Sequence, residues 1–154
     1  MIKIEKILFP TDFSNCARHA LGYALEFAEQ YKAKLFIIHV VPNVYLPTNM
    51  TGLSVPLSKL YGEMERNAKE RIKKLVPKRF LEKIEIENIV VRGTPFLEII
   101  KKAKEHEVDL IVISTHGWTG LKQAIFGSTA EKVVRKSPCP VLTVRYPEHE
   151  FVMP

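Results

Sequence analysis

Ile111-Val112-Ile113-Ser114-Thr115-His116-Gly117, then nine residues, then Gly127-Ser128, is the stretch on which the reading of this chain turns. Ile111, Val112 and Ile113 read as the end of a buried parallel strand. Ser114 to Gly117 is a turn of small residues, where backbone bends tightly or approaches a ligand closely. Ser128 and Glu131 have the spacing of a capping box, which predicts a helix with Ser128 as its N-cap. Strand, glycine loop and helix start together present backbone N–H groups in the manner of a phosphate cradle. The same residues also satisfy the plain chemistry of a strand-to-helix turn. Neither a P-loop nor a dinucleotide fingerprint is matched, so both readings stand on this stretch alone.

The totals narrow the classes. A chain of 154 residues with 46% hydrophobic and 26% charged residues is read as one domain with one core, residues 1–146, followed by a tail, 147–154. The longest apolar run, Leu35-Phe36-Ile37-Ile38, is too short to span a bilayer, so no membrane partner is expected. Met1-Ile2-Lys3-Ile4-Glu5-Lys6 lacks the uninterrupted apolar segment of a signal peptide, and a cytoplasmic setting is the expectation. Cys16 and Cys139 lack CxxC or metal-ligand spacing and read as reduced, structural thiols. The net charge of +6 admits an anionic partner, but Lys and Arg are interleaved with acids, as in Lys69-Glu70-Arg71, so nucleic acid is disfavoured.

Working outward, Ile4 to Phe9 reads as strand 1 ended by Pro10, with Thr11-Asp12-Phe13-Ser14 a polar turn and Ser14 an N-cap. Ala17, Ala20, Leu21, Ala24 and Ala28 predict helix 1, to about Lys32. Lys34 to Val41 is strand 2, stopped by Pro42. Residues 42–56 carry three prolines and read as a long loop, the segment expected to move most. Leu57 to Leu75 traces helix 2, closed by Pro77, and Ile84 to Val91 gives strand 3. Thr94 caps helix 3, with Pro95 at its first position and its end near Glu107. Asp109 to Ile113 is strand 4, Ser128 to Lys136 helix 4, and Val141 to Arg145 strand 5. Strands alternating with helices predict an α/β open sheet with helices on both faces, its ligands at the carboxyl ends of strands.

Ile7-Leu8-Phe9-Pro10-Thr11-Asp12-Phe13-Ser14, His39-Val40, Gly93-Thr94-Pro95, Ile113 to Gly117, Gly127-Ser128 and Ser137-Pro138-Cys139-Pro140-Val141 together resemble the universal stress protein family across residues 4–145. The resemblance implies a Rossmann-like, adenine nucleotide alpha hydrolase-like fold: a five-stranded parallel sheet of order 3-2-1-4-5. It also implies a homodimer and, in one branch, bound ATP. That branch carries Gly-x2-Gly-x9-Gly-Ser/Thr, and here Ser114 stands in the first glycine's place while Gly117, Gly127 and Ser128 match. Serine is small but enters positive φ less readily than glycine.

The site residues follow from that likeness. Gly117 and Gly127 would offer amides to the phosphates, Ser128 a hydroxyl, and Thr129 an amide and hydroxyl in the first helical turn. A carboxylate repels a triphosphate, which puts Asp12 at the nucleoside, accepting from the adenine amino group or ribose; a role inside the 11–14 turn is its competing reading. Pro10, Val40 and Ile113 would be apolar walls, although a core valine looks the same in sequence. His116 lies in the loop beside Ser114, without companions at metal-ligand spacing, so Mg²⁺ is expected to arrive carried by the phosphates. Lys122 could lean toward the γ-phosphate, while Trp118, Leu121, Ile125 and Phe126 read as packing of the arm.

Neither a nucleophile elbow nor a Walker lysine is present, so the expectation is a nucleotide-binding regulatory module, not an enzyme. A slow ATPase or phosphotransferase, and a dimeric relative that binds no nucleotide, are the alternatives. Strand 5, Val141-Leu142-Thr143-Val144, carries no charge and is expected to pair with its twin in a homodimer, with Phe151-Val152-Met153 over the seam. A protein partner reading the arm 118–126 and the loop 42–56 completes the expectation.

Overall fold

The computed structural model describes residues 1–44, 56–116 and 127–146. The chain runs β1 (Lys6–Pro10), α1 (Asn15–Tyr31), β2 (Lys34–Pro42), α2 (Leu57–Lys73), α3 (Lys78–Leu81), β3 (Ile86–Gly93), α4 (Pro95–Glu105), β4 (Leu110–Ser114), α5 (Ser128–Lys136) and β5 (Val141–Val144). All strand pairings are parallel and the sheet order is β3-β2-β1-β4-β5, as the family resemblance implied.

Period-two alternation assigns each strand residue to one of two cores. Ile7, Phe9, Leu35, Ile37, Leu110 and Val112 face the side covered by α1, α2 and α3. Leu8, Phe36, Ile38, Ile111 and Ile113 face the other side, covered by α4 and α5. Every residue of β4 is buried, because a central strand with helices on both faces has no solvent side. Each fully buried Ile, Leu or Phe contributes about 1.5–3 kcal/mol, so the sandwich of two cores is the main source of stability. Ala17, Ala20, Ala24 and Ala28 line the buried face of α1, where their small size lets the helix lie close to the sheet.

Several boundaries differ from the sequence reading, each for a local reason. Pro10 and Pro42 are the last residues of β1 and β2, not stops before them; proline's extended φ fits a strand end, where little of the ladder is lost. β1 begins at Lys6 rather than Ile4. β3 lies two residues later than expected, since its register on β2, from Leu35↔Ile86 to Pro42↔Gly93, fixes its span, and Ile84 is buried just ahead of it. Helix 2 ends at Lys73, and the short α3 was missed. Pro77, read as a terminator, occupies the N-cap position of α3, which carries Phe80 into the core. The third long helix ends at Glu105, and Glu107 turns left-handed with φ 53°. The loop residues 45–55, the arm 118–126 and the tail 147–154 lie outside the described residues.

Ser14 caps α1 as expected: its hydroxyl accepts from the Ala17 N–H at 3.1 Å. The cap is buried, so its loss would leave that donor stranded. Ser14→Ala is expected to lower unfolding stability by about 1–2 kcal/mol, read from the urea midpoint at unchanged slope.

Candidate functional site

The order of the strands reverses between β1 and β4, whose registers Ile7↔Leu110 and Leu8↔Ile111 hold their carboxyl ends side by side. A cavity of about 420 Å³ opens there, a size suited to a small organic ligand. Pro10, Thr11 and Asp12 of the β1 tip and Ile113 to His116 of the β4 tip line its floor. Ile38, Val40 and Pro42 of β2, with Pro95 and Ile99 of α4, form an apolar wall. Gly127 to Ala130, at the start of α5, complete the lining.

The structure therefore brings together Pro10, Asp12, Val40, Ile113, Ser114, His116, Gly127, Ser128 and Thr129 around one cavity. Gly117 and Lys122 lie outside the described residues. The sequence reading missed Thr11, Ile38, Pro42, Thr115, Pro95, Ile99 and Ala130 as lining. For Pro95 the signal was present: the Gly93-Thr94-Pro95 turn marks a helix start at the tip of β3, on the same sheet edge as the other tips.

Two details of the loop depart from expectation. Ser128 is not the N-cap of α5: Gly127 holds that position, so the Ser128–Glu131 capping box does not form. Gly127 also does not aim its amide into the cavity. Its N–H donates to the Thr115 carbonyl at 2.6 Å, closing the loop on β4. Its φ of −69° is ordinary, so the glycine is needed for space: a Cβ there would sit 3.3 Å from the Thr115 carbonyl oxygen and 3.8 Å from His116 Cα. With a glycine cap, no side chain among the described residues caps the first-turn amides of Ser128, Thr129 and Ala130, while Glu131 N–H already reaches back to the Gly127 carbonyl at 3.0 Å. These amides, with the positive end of the helix dipole, lie on the cavity's α5 side.

The β1 tip is held by successive short turns. Thr11 Oγ1 accepts from Phe13 N–H at 3.0 Å, and Asp12 Oδ1 accepts from Ser14 N–H at 2.9 Å. Asp12 thus serves the turn and lines the cavity together. Thr11 is tied to β2 twice, its N–H donating to the Ile38 carbonyl at 2.9 Å and its carbonyl accepting from His39 Nδ1 at 2.8 Å. At the β4 tip, Thr115 Oγ1 stands 3.0 Å from His116 Nδ1, and Thr115 N–H donates to the Val144 carbonyl at 2.9 Å.

The half-buried His39 titrates below its ordinary value of 6.5, chiefly through desolvation; the Arg71 charge pushes the same way, against the Thr11 carbonyl and Asp12. Among the described residues no group of three His, Cys, Asp or Glu side chains could hold a metal, and no helix is long and apolar enough to cross a membrane. Cys16 and Cys139 are free thiols.

Fold and crevice together define a doubly wound α/β protein with an amphiphilic cavity at its switch point: apolar wall, carboxylate, and uncapped helix start. The chain belongs to the universal stress protein family, whose family model matches residues 3–145. A universal stress protein of Methanocaldococcus jannaschii is 34% identical over 149 residues, covering 95% of this chain and 85% of the relative. Among solved structures, universal stress protein UspA from Lactobacillus plantarum superposes with a TM-score of 0.79 at 28% identity, covering 93% of this chain and 99% of that one. A universal stress protein crystallised in complex with cAMP superposes with a TM-score of 0.59 at 26% identity, covering 93% and 98%.

The His39 shift carries a pH signature. Its folded-state value lies below 6.5, so the unfolded chain holds the extra proton in the window between the two. The contribution is complete above about pH 6.5 and is lost as pH falls through the folded value. His39→Asn, which retains a donor for the Thr11 carbonyl, is expected to lose less thermal stability than the parent between about pH 7 and pH 5.5 in paired melting curves.

Proposed function

We propose that this protein is a stress-response module that binds an adenine nucleotide, ATP foremost, in the cytoplasm and acts by binding rather than by turnover. The observation that carries the reading is the mixed lining of one cavity, in which an apolar wall and the Asp12 carboxylate share the space with first-turn amides of α5 that no described side chain caps. The base lies against Ile38, Val40 and Pro95, with Asp12 accepting from its exocyclic amine or from the ribose. The phosphates meet the amides of Ser128, Thr129 and Ala130 and the hydroxyls of Ser128 and Thr129. The cAMP complex of a family relative supports the ligand class.

Magnitudes agree with such a site. Hydrogen bonds to a charged group contribute about 1.5–3 kcal/mol each, and three or four of them supply the ~8 kcal/mol of micromolar binding. Mg²⁺ would then be held mainly by the phosphates, since the described residues contain no carboxylate cluster for it. Asp12 and His116 are the titratable groups among the described lining residues, and Asp12 Oδ1 is engaged by Ser14. That supply of bases is thin for positioning an attacking water, so hydrolysis, if present, is slow.

The assembly is a homodimer in this proposal. β5 lies at the sheet's end, with Val141, Leu142 and Thr143 only part-buried, and antiparallel pairing with a second copy would cover it. Occupancy of the cavity is the state a protein partner would read.

Mass spectrometry of small molecules released from freshly purified protein is expected to show adenine nucleotide, and calorimetry of the stripped protein micromolar ATP binding; absence of both rejects the reading. Gly127→Val, whose branched side chain collides with the Thr115 carbonyl, is expected to weaken ATP at least about tenfold with little change in melting temperature. Thr143→Lys, which puts a charge on the pairing edge, is expected to halve the mass measured by light scattering. A single-turnover assay over hours separates binding from slow hydrolysis by the ADP formed.

A further inference from the structure

The backbone of Phe13 is left-handed, φ 64°, although it is a bulky residue that avoids this region. Such a conformation costs about 1–3 kcal/mol and persists where neighbours over-determine it. Here they do. The Phe13 ring is buried between the His39 ring, 4.5 Å away between centroids, and the guanidinium of Arg71, whose Cζ lies 4.1 Å from the ring centre. Asp12 and Ser14 flank Phe13, and the Asp12 Oδ1 bond to Ser14 N–H bridges directly across it. The position of the Asp12 carboxylate at the cavity is therefore set by the residue beneath it. Phe13 in turn is gripped by a cation from α2, a helix that contributes no described residue to the cavity lining.

We infer that Arg71 is a positioning residue for base recognition: its contact with Phe13 holds the β1 tip so that Asp12 meets the exocyclic amine of adenine. This rests on the nucleotide reading above and deepens it, because it assigns base selectivity to a side chain outside the cavity. The phosphate end is built on other elements, the β4 tip and α5, and does not share the clamp. Loss of Arg71 thus affects one end of the ligand and spares the other. A guanidinium on a phenyl face contributes modestly at an exposed site, so a partial loss of discrimination is expected, not its abolition.

The test compares ATP with ITP, which carries a carbonyl where adenine has its amine, on the full chain by calorimetry. Wild-type protein should prefer ATP. Arg71→Gln should weaken ATP about fivefold and leave ITP within about twofold, whereas Arg71→Lys, keeping the cation, should restore much of the preference. Phe13→Leu, which removes the ring but keeps an apolar side chain, should reproduce the Arg71→Gln ratio. A general packing defect would weaken both nucleotides together and would overturn the inference, as would an unchanged ATP-to-ITP ratio in Arg71→Gln. If wild-type protein binds both nucleotides equally, Asp12 does not read the base and the inference falls while nucleotide binding stands. If it binds neither, the nucleotide reading itself fails.

Discussion

Parallel pairing of β1 with β4 is the constraint from which the rest of the molecule follows. Residues more than 100 positions apart in the chain, such as Ile7 and Leu110, sit in register because the crossovers run in opposite directions from the sheet centre. Helices leaving neighbouring strands to opposite faces must part, and the parting is the cavity. The same register that buries Leu8 against Ile111 therefore sets Asp12 and Thr115 at one opening. Asp109 reinforces the pairing from the other end, its carboxylate accepting from the Glu5 and Lys6 amides at 2.8 and 2.9 Å.

The two ends of the cavity are made by different means. At the β1 tip the sequence spends polar side chains on its own backbone: Thr11, Asp12 and Ser14 each satisfy a nearby amide. At the α5 end it does the reverse, and a glycine stands where a capping side chain would be. The first arrangement makes a rigid end, and the second leaves amides that no described side chain caps. Rigidity suits selection of a ligand's shape, and unsatisfied donors suit attraction of its charge.

Much of this was legible in sequence because it depends on local chemistry. Short continuous apolar runs gave β2 and β4, and alanine spacing gave α1 with its Ser14 cap, since both patterns require no knowledge of neighbours. The lining residues Pro10, Asp12, Val40 and Ile113 came from motifs at strand tips, where sheet topology and family resemblance agree. What escaped was non-local. The register of β3 is dictated by β2, not by its own composition. The Ser128 capping box was the local optimum, but Gly127 occupies the cap because Thr115 needs its amide. Pro95 and Ile99 reach the cavity only through the crossover that brings α4 across β2. Arg71 touches Phe13 across nearly 60 positions of chain, with no spacing rule to announce it.

A helix that begins on a glycine cap is an incomplete one. Among the described residues its opening turn lacks the capping side chain that most helices carry, so an anion bound there would not merely occupy a hollow; it would finish a piece of secondary structure. Ligand and chain would then share a single hydrogen-bonding ladder, whose far end packs through Val133 into the core beside Val141 at the sheet's last strand. Under the nucleotide proposal, filling the hollow would firm the border of the sheet, and the protein's outer edge would come to carry information about what its interior holds.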